Sequence, residues 1–216
     1  MAENQDKSLE ALKEIRSIMH NSTKFVSLSG VSGVWAGFVA LAGSAYAYYL
    51  LNKPDNMLVM GSSFEENESY FDPVTRQVFF LAIGIFVVAL AGAFYFTQRK
   101  SKSLGQTMWN HVAKQMIFQG FFPMAAGAIL CLRFIYFGYI NLIAPSCLIF
   151  YGLAVISASK FTHSEVKYLG IMEVTLGCIA LTMTNYGLYY WAAGFGVLHI
   201  VYGLLMWNKY DRKPKA

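Results

Sequence analysis

Two stretches of this chain run without a single charge for longer than any soluble helix or strand would allow. The first extends from Phe25 to Leu51 and the second from Gln77 to Thr97. About 20 mostly apolar residues are enough to cross a bilayer as a helix, so these runs restrict the chain to the membrane class. Further runs follow at about 115–134, carrying Arg133, and about 139–159. The last two lie at 168–184, with Glu173 inside, and 188–207, with His199 inside. The composition agrees. Hydrophobic residues make up 56% and charged ones 13%, where a soluble domain carries about 25% charge. A chain this apolar is not disordered, because disorder needs polar, charge-rich sequence. The expected fold is an all-α polytopic bundle of six transmembrane helices over 25–207. The boundary between the third and fourth is blurred, since 116–156 is nearly continuous apolar sequence.

Charge sets the orientation. Lys7, Lys13, Arg16 and Lys24 precede the first span; Arg99, Lys100, Lys102 and Lys114 follow the second; Lys160 and Lys167 follow the fourth. Lys209, Arg212, Lys213 and Lys215 lie in the basic tail, 208–216. That places fourteen basic residues on one side, against Lys53, Arg76 and Arg133 on the other. Cytoplasmic loops collect Lys and Arg, so both termini are expected in the cytoplasm. The net charge of +5 flanks the spans instead of forming a face, which argues against nucleic acid as a partner. The loop 52–76 then faces outward and is acidic, with Asp55, Glu65, Glu66, Glu68 and Asp72. Ala45-Tyr46-Ala47 imitates a signal-cleavage site, but the polar lead is too long and acidic for a signal peptide. The sequons at Asn21 and Asn67 read as chance matches.

The segment 1–24 precedes the bundle. Within it, residues 6–20 read as a short amphipathic cytoplasmic helix, with Leu9, Leu12, Ile15, Ile18 and Met19 on one half. It either lies on the inner leaflet or under the bundle, or docks a cytoplasmic protein partner. Its balanced charges do not make a polybasic lipid-seeking helix. Glu14-Ile15-Arg16-Ser17-Ile18-Met19, then Phe25 to Gly33 (FVSLSGVSG), then Ala36-Gly37, resembles the opening of a multi-pass bacterial membrane protein family of the Bacteroidetes. The resemblance covers about the first 45 residues. It implies a bacterial inner-membrane location and brings no established activity.

Small residues repeat at helical spacing. Ser29, Gly33 and Gly37 form one row, and Ala36, Ala40 and Ser44 another. Such rows let helices approach closely in lipid, within the bundle or in a homodimer. The last two spans share a spacing: Gly170-x2-Glu173-x3-Gly177 and Gly196-x2-His199-x3-Gly203. If these glycine faces oppose each other, Glu173 and His199 meet at similar depth. A carboxylate in the hydrocarbon region needs a partner or water, and histidine titrates near neutral pH. The pair is therefore either a static interhelical bond or a proton or ligand site. One His and one Glu do not make a zinc site, and no metal or cofactor is expected. Arg133 either snorkels to the outer interface or joins Gln119 and Asn141 in lining a cavity. Pro123 and Pro145 are expected to kink the third and fourth spans. Cys131 and Cys147 fall in the outer halves of those same spans, as two buried thiols or as a disulfide. Tyr151-Gly152-Leu153 and Tyr202-Gly203-Leu204 hint at a duplicated hairpin, although the following lysines slip the register.

No Walker loop, H-E-x-x-H or G-x-S-x-G is present, so an enzyme is not expected. A non-catalytic sensor, scaffold or accessory subunit fits the small loops and the amphipathic leader. The alternative is a small-solute or proton-linked transporter whose polar route uses Glu173, His199, Gln119 and Arg133. The two differ in whether Glu173 and His199 line a wet cavity or a dry seam.

Overall fold

The computed structural model describes residues 28–53, 73–105 and 107–212. The amphipathic leader, both sequons, most of the acidic loop and the end of the basic tail lie outside these residues. Among the described residues the chain is built from helices, with no strand. Helix α1 is Gly30–Leu51, α2 Pro73–Ser103, α3 His111–Tyr136, α4 Ile143–Ala158 and α5 Glu165–Thr182. Helix α6 is a continuous run of Gly187–Trp191, Ala192–Leu198, His199–Met206 and Trp207–Asp211. Its second and fourth pieces are wound as π-helix. With the short helical turns that extend α4 to Ile140–Phe161 and α6 to Thr184–Asp211, five of the six are long and apolar enough to cross a membrane. The exception, α5, has 18 residues and carries Glu165, Lys167 and Glu173.

The boundary blurred in the sequence is set by one glycine. Helix α3 ends at Tyr136, and Gly138 adopts φ +77°. Tyr139 N–H then donates to the Phe134 carbonyl at 2.8 Å. A left-handed residue just past a helix, closing a bond back into the last turn, is what glycine permits cheaply. Pro145 lies in the first turn of α4, where a proline without an N–H is tolerated. Pro123 lies inside α3, which stays one helix across it.

The helices pack in the order α2, α1, α6, then α4 and α5 together, then α3. Helices α2 and α3 flank the bundle and turn Phe80, Phe86, Leu90, Phe118, Phe122 and Ile129 outward. Such faces suit lipid, which solvates apolar side chains but no unpaired backbone.

Glycine lets two crossings close tightly. A Cβ added at Gly152 would lie 2.7 Å from the Gly170 carbonyl oxygen and 2.8 Å from the Val174 nitrogen. One added at Gly203 would lie 2.7 Å from the Gly30 oxygen and 2.5 Å from the Val34 nitrogen. Gly177 likewise faces Ile149, as Gly37 faces Ile200. The α4–α5 and α6–α1 crossings thus share one register. Gly30-x3-Val34-x2-Gly37 matches Gly170-x3-Val174-x2-Gly177, and Ile149-x-Tyr151-Gly152-Leu153 matches Ile200-x-Tyr202-Gly203-Leu204. The duplication hinted at by the Tyr-Gly-Leu pair is a duplication of a helix crossing.

These contacts correct the expected pairing of glycine faces. Gly170 and Gly177 of α5 face α4, while Gly196 and Gly203 of α6 face Leu41, Gly30 and Val34 of α1. Gly33 and Gly37 pack on Gly203, Gly196 and Ile200 of α6. Gly33 and Gly37 of α1 are thus taken up by contacts with α6.

Candidate functional site

Glu173 and His199 meet, by a route the glycine rows do not provide. Glu173 lies on the buried side of α5 with none of its surface exposed, and His199 is 6% exposed on α6. The Nδ1 of His199 is 3.3 Å from Glu173 Oε1. Nδ1 is also 3.1 Å from the Gly194 carbonyl oxygen, in hydrogen-bonding geometry. The other ring nitrogen, Nε2, is 2.7 Å from the Tyr151 hydroxyl of α4. Three helices therefore converge on one imidazole.

The π-helical piece makes this possible. Gly194 lies five residues before His199, which is the π spacing, and single π turns recur at functional sites. The absence of a side chain matters too. A Cβ on Gly194 would lie 2.5 Å from Glu173 Oε2 and would strike Leu148. The carboxyl group occupies the space that glycine leaves. Around the ring stand Tyr151, Phe195 and Trp191: Tyr151–Phe195 and Trp191–Phe195 centroids are each 5.0 Å apart, and Tyr151–His199 5.3 Å. At 1.5 Å per residue, Glu173 is roughly 12 Å along α5 from its N-terminal end at Glu165.

The bonding pattern has a chemical reading. With Nδ1–H donating to Gly194, Nε2 accepts from Tyr151, and a neutral imidazole is satisfied at both nitrogens. Neither oxygen of Glu173 then receives a hydrogen bond. An ionised carboxylate left so would cost several kcal/mol. Two net-neutral forms avoid this: a carboxylic acid beside neutral imidazole, or a carboxylate beside imidazolium whose Nδ1–H turns to Oε1. They differ in the site of one proton, which in the second form sits on Nε2 and is donated to the Tyr151 hydroxyl.

The other sequence candidates lie elsewhere. Gln119 and Asn141 are exposed. Arg133 is exposed near the C-terminal end of α3, its guanidinium over the rings of Phe137 at 4.5 Å and Tyr136 at 5.0 Å. This cation–aromatic stacking is not part of the Glu173 cluster. Among the described residues no three His, Cys, Asp or Glu come together as metal ligands.

Two polar clasps at the helix ends where α1 begins and α6 ends were not read from the sequence. Asp211, near the end of α6, accepts from Gly30 N–H at 2.8 Å and from the Ser29 hydroxyl at 3.2 Å, at the start of α1. Its other oxygen lies 2.6 Å from Lys100 of α2, and Lys100 also donates to the Leu28 carbonyl at 2.7 Å. One carboxylate thus caps a helix start and ties three helices. Glu165 of α5 similarly accepts from Lys209 and from Tyr210, the latter at 2.9 Å. Burial pushes the Glu165 carboxyl up, but the bonds from Lys209, from its own backbone and from Tyr210 outweigh this and hold it at about 2. The signal available in the sequence was two acids, Glu165 and Asp211, among basic segments.

No family model, curated protein or solved structure matches the chain. The likeness of its opening residues to a bacterial family therefore assigns no activity.

Proposed function

We propose that this chain is a six-span protein of the bacterial inner membrane, with both termini cytoplasmic, acting as a non-catalytic sensor, scaffold or accessory subunit. The observation that carries this is the closure of the polar cluster. A carrier must reach its ligating groups from water, yet Glu173 is wholly buried and His199 nearly so. Gln119 and Arg133, the other groups a polar route would use, are exposed on α3. What Glu173, His199 and Tyr151 form is a dry junction of α4, α5 and α6. The short connections and the clasps at Asp211 and Glu165 fit a bundle held at its cytoplasmic face, where the amphipathic leader would meet a protein partner.

A second reading, proton-linked transport or ligand binding, is favoured by one fact: neither Glu173 oxygen has a hydrogen bond. Native mass spectrometry of gently extracted protein, with metal analysis of the same sample, separates the two. We expect a bare bundle, alone or with a second protein that is lost when residues 1–20 are deleted. A retained small molecule or metal that disappears in Glu173→Gln or His199→Ala would overturn the scaffold reading.

A further inference from the structure

We propose that Cys131 and Cys147 form a thiol–disulfide site at the outer end of the α3–α4 hairpin, oxidised by a disulfide donor on the extracytoplasmic side. The two sulfurs are 3.8 Å apart, both part-buried. The helices carrying them are already close. A Cβ on Gly127 of α3 would lie 2.5 Å from the Phe150 Cβ of α4. Cys131 is one turn outward from Gly127, and Cys147 about one turn outward from Phe150, so the cysteines occupy the next rung of the same crossing.

A disulfide needs its sulfurs at about 2.05 Å. Each sulfur sits at the end of one rotatable bond, so closing the remaining gap from 3.8 Å calls for turning the two side chains toward each other. Cys131 is within two turns of the α3 end at Tyr136, and Cys147 within two turns of the α4 start at Ile143. At 1.5 Å per residue both lie roughly 6–8 Å below the outer helix ends, within reach of a donor at the interface. This placement rests on the orientation proposed above, which puts that end outside the cytoplasm, where thiols are oxidised.

The exchange balances. The thiolate of one cysteine attacks the donor disulfide, forming a mixed disulfide and releasing one donor thiol. The second cysteine attacks the first cysteine's sulfur in that mixed disulfide and releases the other donor thiol. Two electrons pass from the cysteine pair to the donor, and the two protons leave on its thiols. The product ties α3 to the helix that carries Tyr151.

The test uses purified full-length protein in detergent, with dithiodipyridine as the disulfide donor. Cys178, exposed on α5, serves as an internal control for donor access. After oxidation and removal of donor adducts from isolated thiols by a brief mild reductant, the intact chain is alkylated with N-ethylmaleimide and weighed. The wild type should lose about 2 Da and take one label, on Cys178, instead of three. Full reduction should restore three. Cys131→Ser and Cys147→Ser should each take two labels without that loss. A wild-type chain that keeps three labelled cysteines, or that cross-links between copies, overturns the proposal. Alkylation of intact cells at harvest tests the placement separately. A pair that closes in vitro but is fully reduced in the cell refutes the outward orientation and leaves the geometry standing.

Discussion

Substituting Gly152 by alanine adds one methyl group where two helix backbones meet. Its Cβ would lie 2.7 Å from the Gly170 oxygen and 2.8 Å from the Val174 nitrogen, both backbone atoms. Side chains can rotate away from a new methyl, but helical backbone cannot. The α4–α5 crossing must part by several tenths of an ångström, and overpacking of this kind costs about 1–3 kcal/mol. Alanine also favours any helix over glycine by roughly 0.5–1 kcal/mol, which would mask part of the cost. Gly84 of α2 provides the correction, since a Cβ there meets nothing within 4 Å. Gly84→Ala should stabilise by roughly that propensity term alone. The difference between the two variants is then steric, and with backbone on both sides it belongs in the upper half of the range, about 2–3 kcal/mol. Gly203→Ala, which meets Val34 and Gly30 in the same register, should behave like Gly152→Ala. Reversible denaturation in mixed micelles, followed by tryptophan fluorescence, measures all three. A Gly152→Ala variant as stable as Gly84→Ala would refute the shared backbone-to-backbone crossing.

The clasps and the π turn make three further predictions. Asp211→Ala removes a partner from Lys100, an ion pair whose side chains are 14% and 11% exposed, and should destabilise by about 2–4 kcal/mol. Asp211→Asn, which can still accept from Gly30 N–H, should lose less in the same denaturation assay. The Glu165 carboxyl is depressed to about 2, so its contribution is present above the unfolded value of about 4.3 and fades as pH falls toward 2. Hydrogen-exchange protection at 163–168, taken as the rate relative to unstructured chain at the same pH, should fall over that acid window in wild type and stay constant in Glu165→Gln; constant wild-type protection would show the clasp to be absent. Gly194→Ala, whose Cβ would meet Glu173 and Leu148, should destabilise by about 1–3 kcal/mol, and Glu173→Gly in the same chain should recover part of the loss. No recovery would show that the carboxyl does not fill that space.

The elements were legible because they follow from apolar run length, and every expected span overlaps an observed helix. Their ends were less so: α2 continues through Arg99, Lys100 and Lys102 to Ser103, since long basic side chains tolerate a helix leaving the membrane. The neighbours were not legible. Glycines seven apart suit any close crossing, and the sequence does not say which partner fills the groove. The wheel drawn for Gly196, His199 and Gly203 assumed 3.6 residues per turn throughout. One π turn at Ala192–Leu198 shifts the faces by about 100° per extra residue, so the glycines meet α1 while His199 meets Glu173. Tyr151 has no spacing relation to His199 that would have flagged it, because the bond runs between helices brought together by the crossing itself.

The shared register also shows what packing does not require. Where α5 places Glu173 in its crossing with α4, α1 places Gly33 in its crossing with α6. Where α6 places His199, α4 places Leu148. The α6–α1 crossing closes without a carboxyl, and the α4–α5 crossing closes without an imidazole. Both ionisable groups are departures from a scheme that works with glycine and leucine. If the pair served only to hold helices, apolar side chains would do as well, since replacing a buried ionisable pair by apolar residues is often neutral or stabilising by about 1–4 kcal/mol. The double variant Glu173→Leu, His199→Leu should therefore fold with at least about wild-type stability, while His199→Leu alone, which leaves the Glu173 carboxyl buried without its partner, should be worse. A double variant less stable than His199→Leu alone would make the pair structural after all. If instead it is stable but no longer recovers the protein partner proposed above, that association depends on the Glu173–His199 pair and not on packing at the α4–α5–α6 junction.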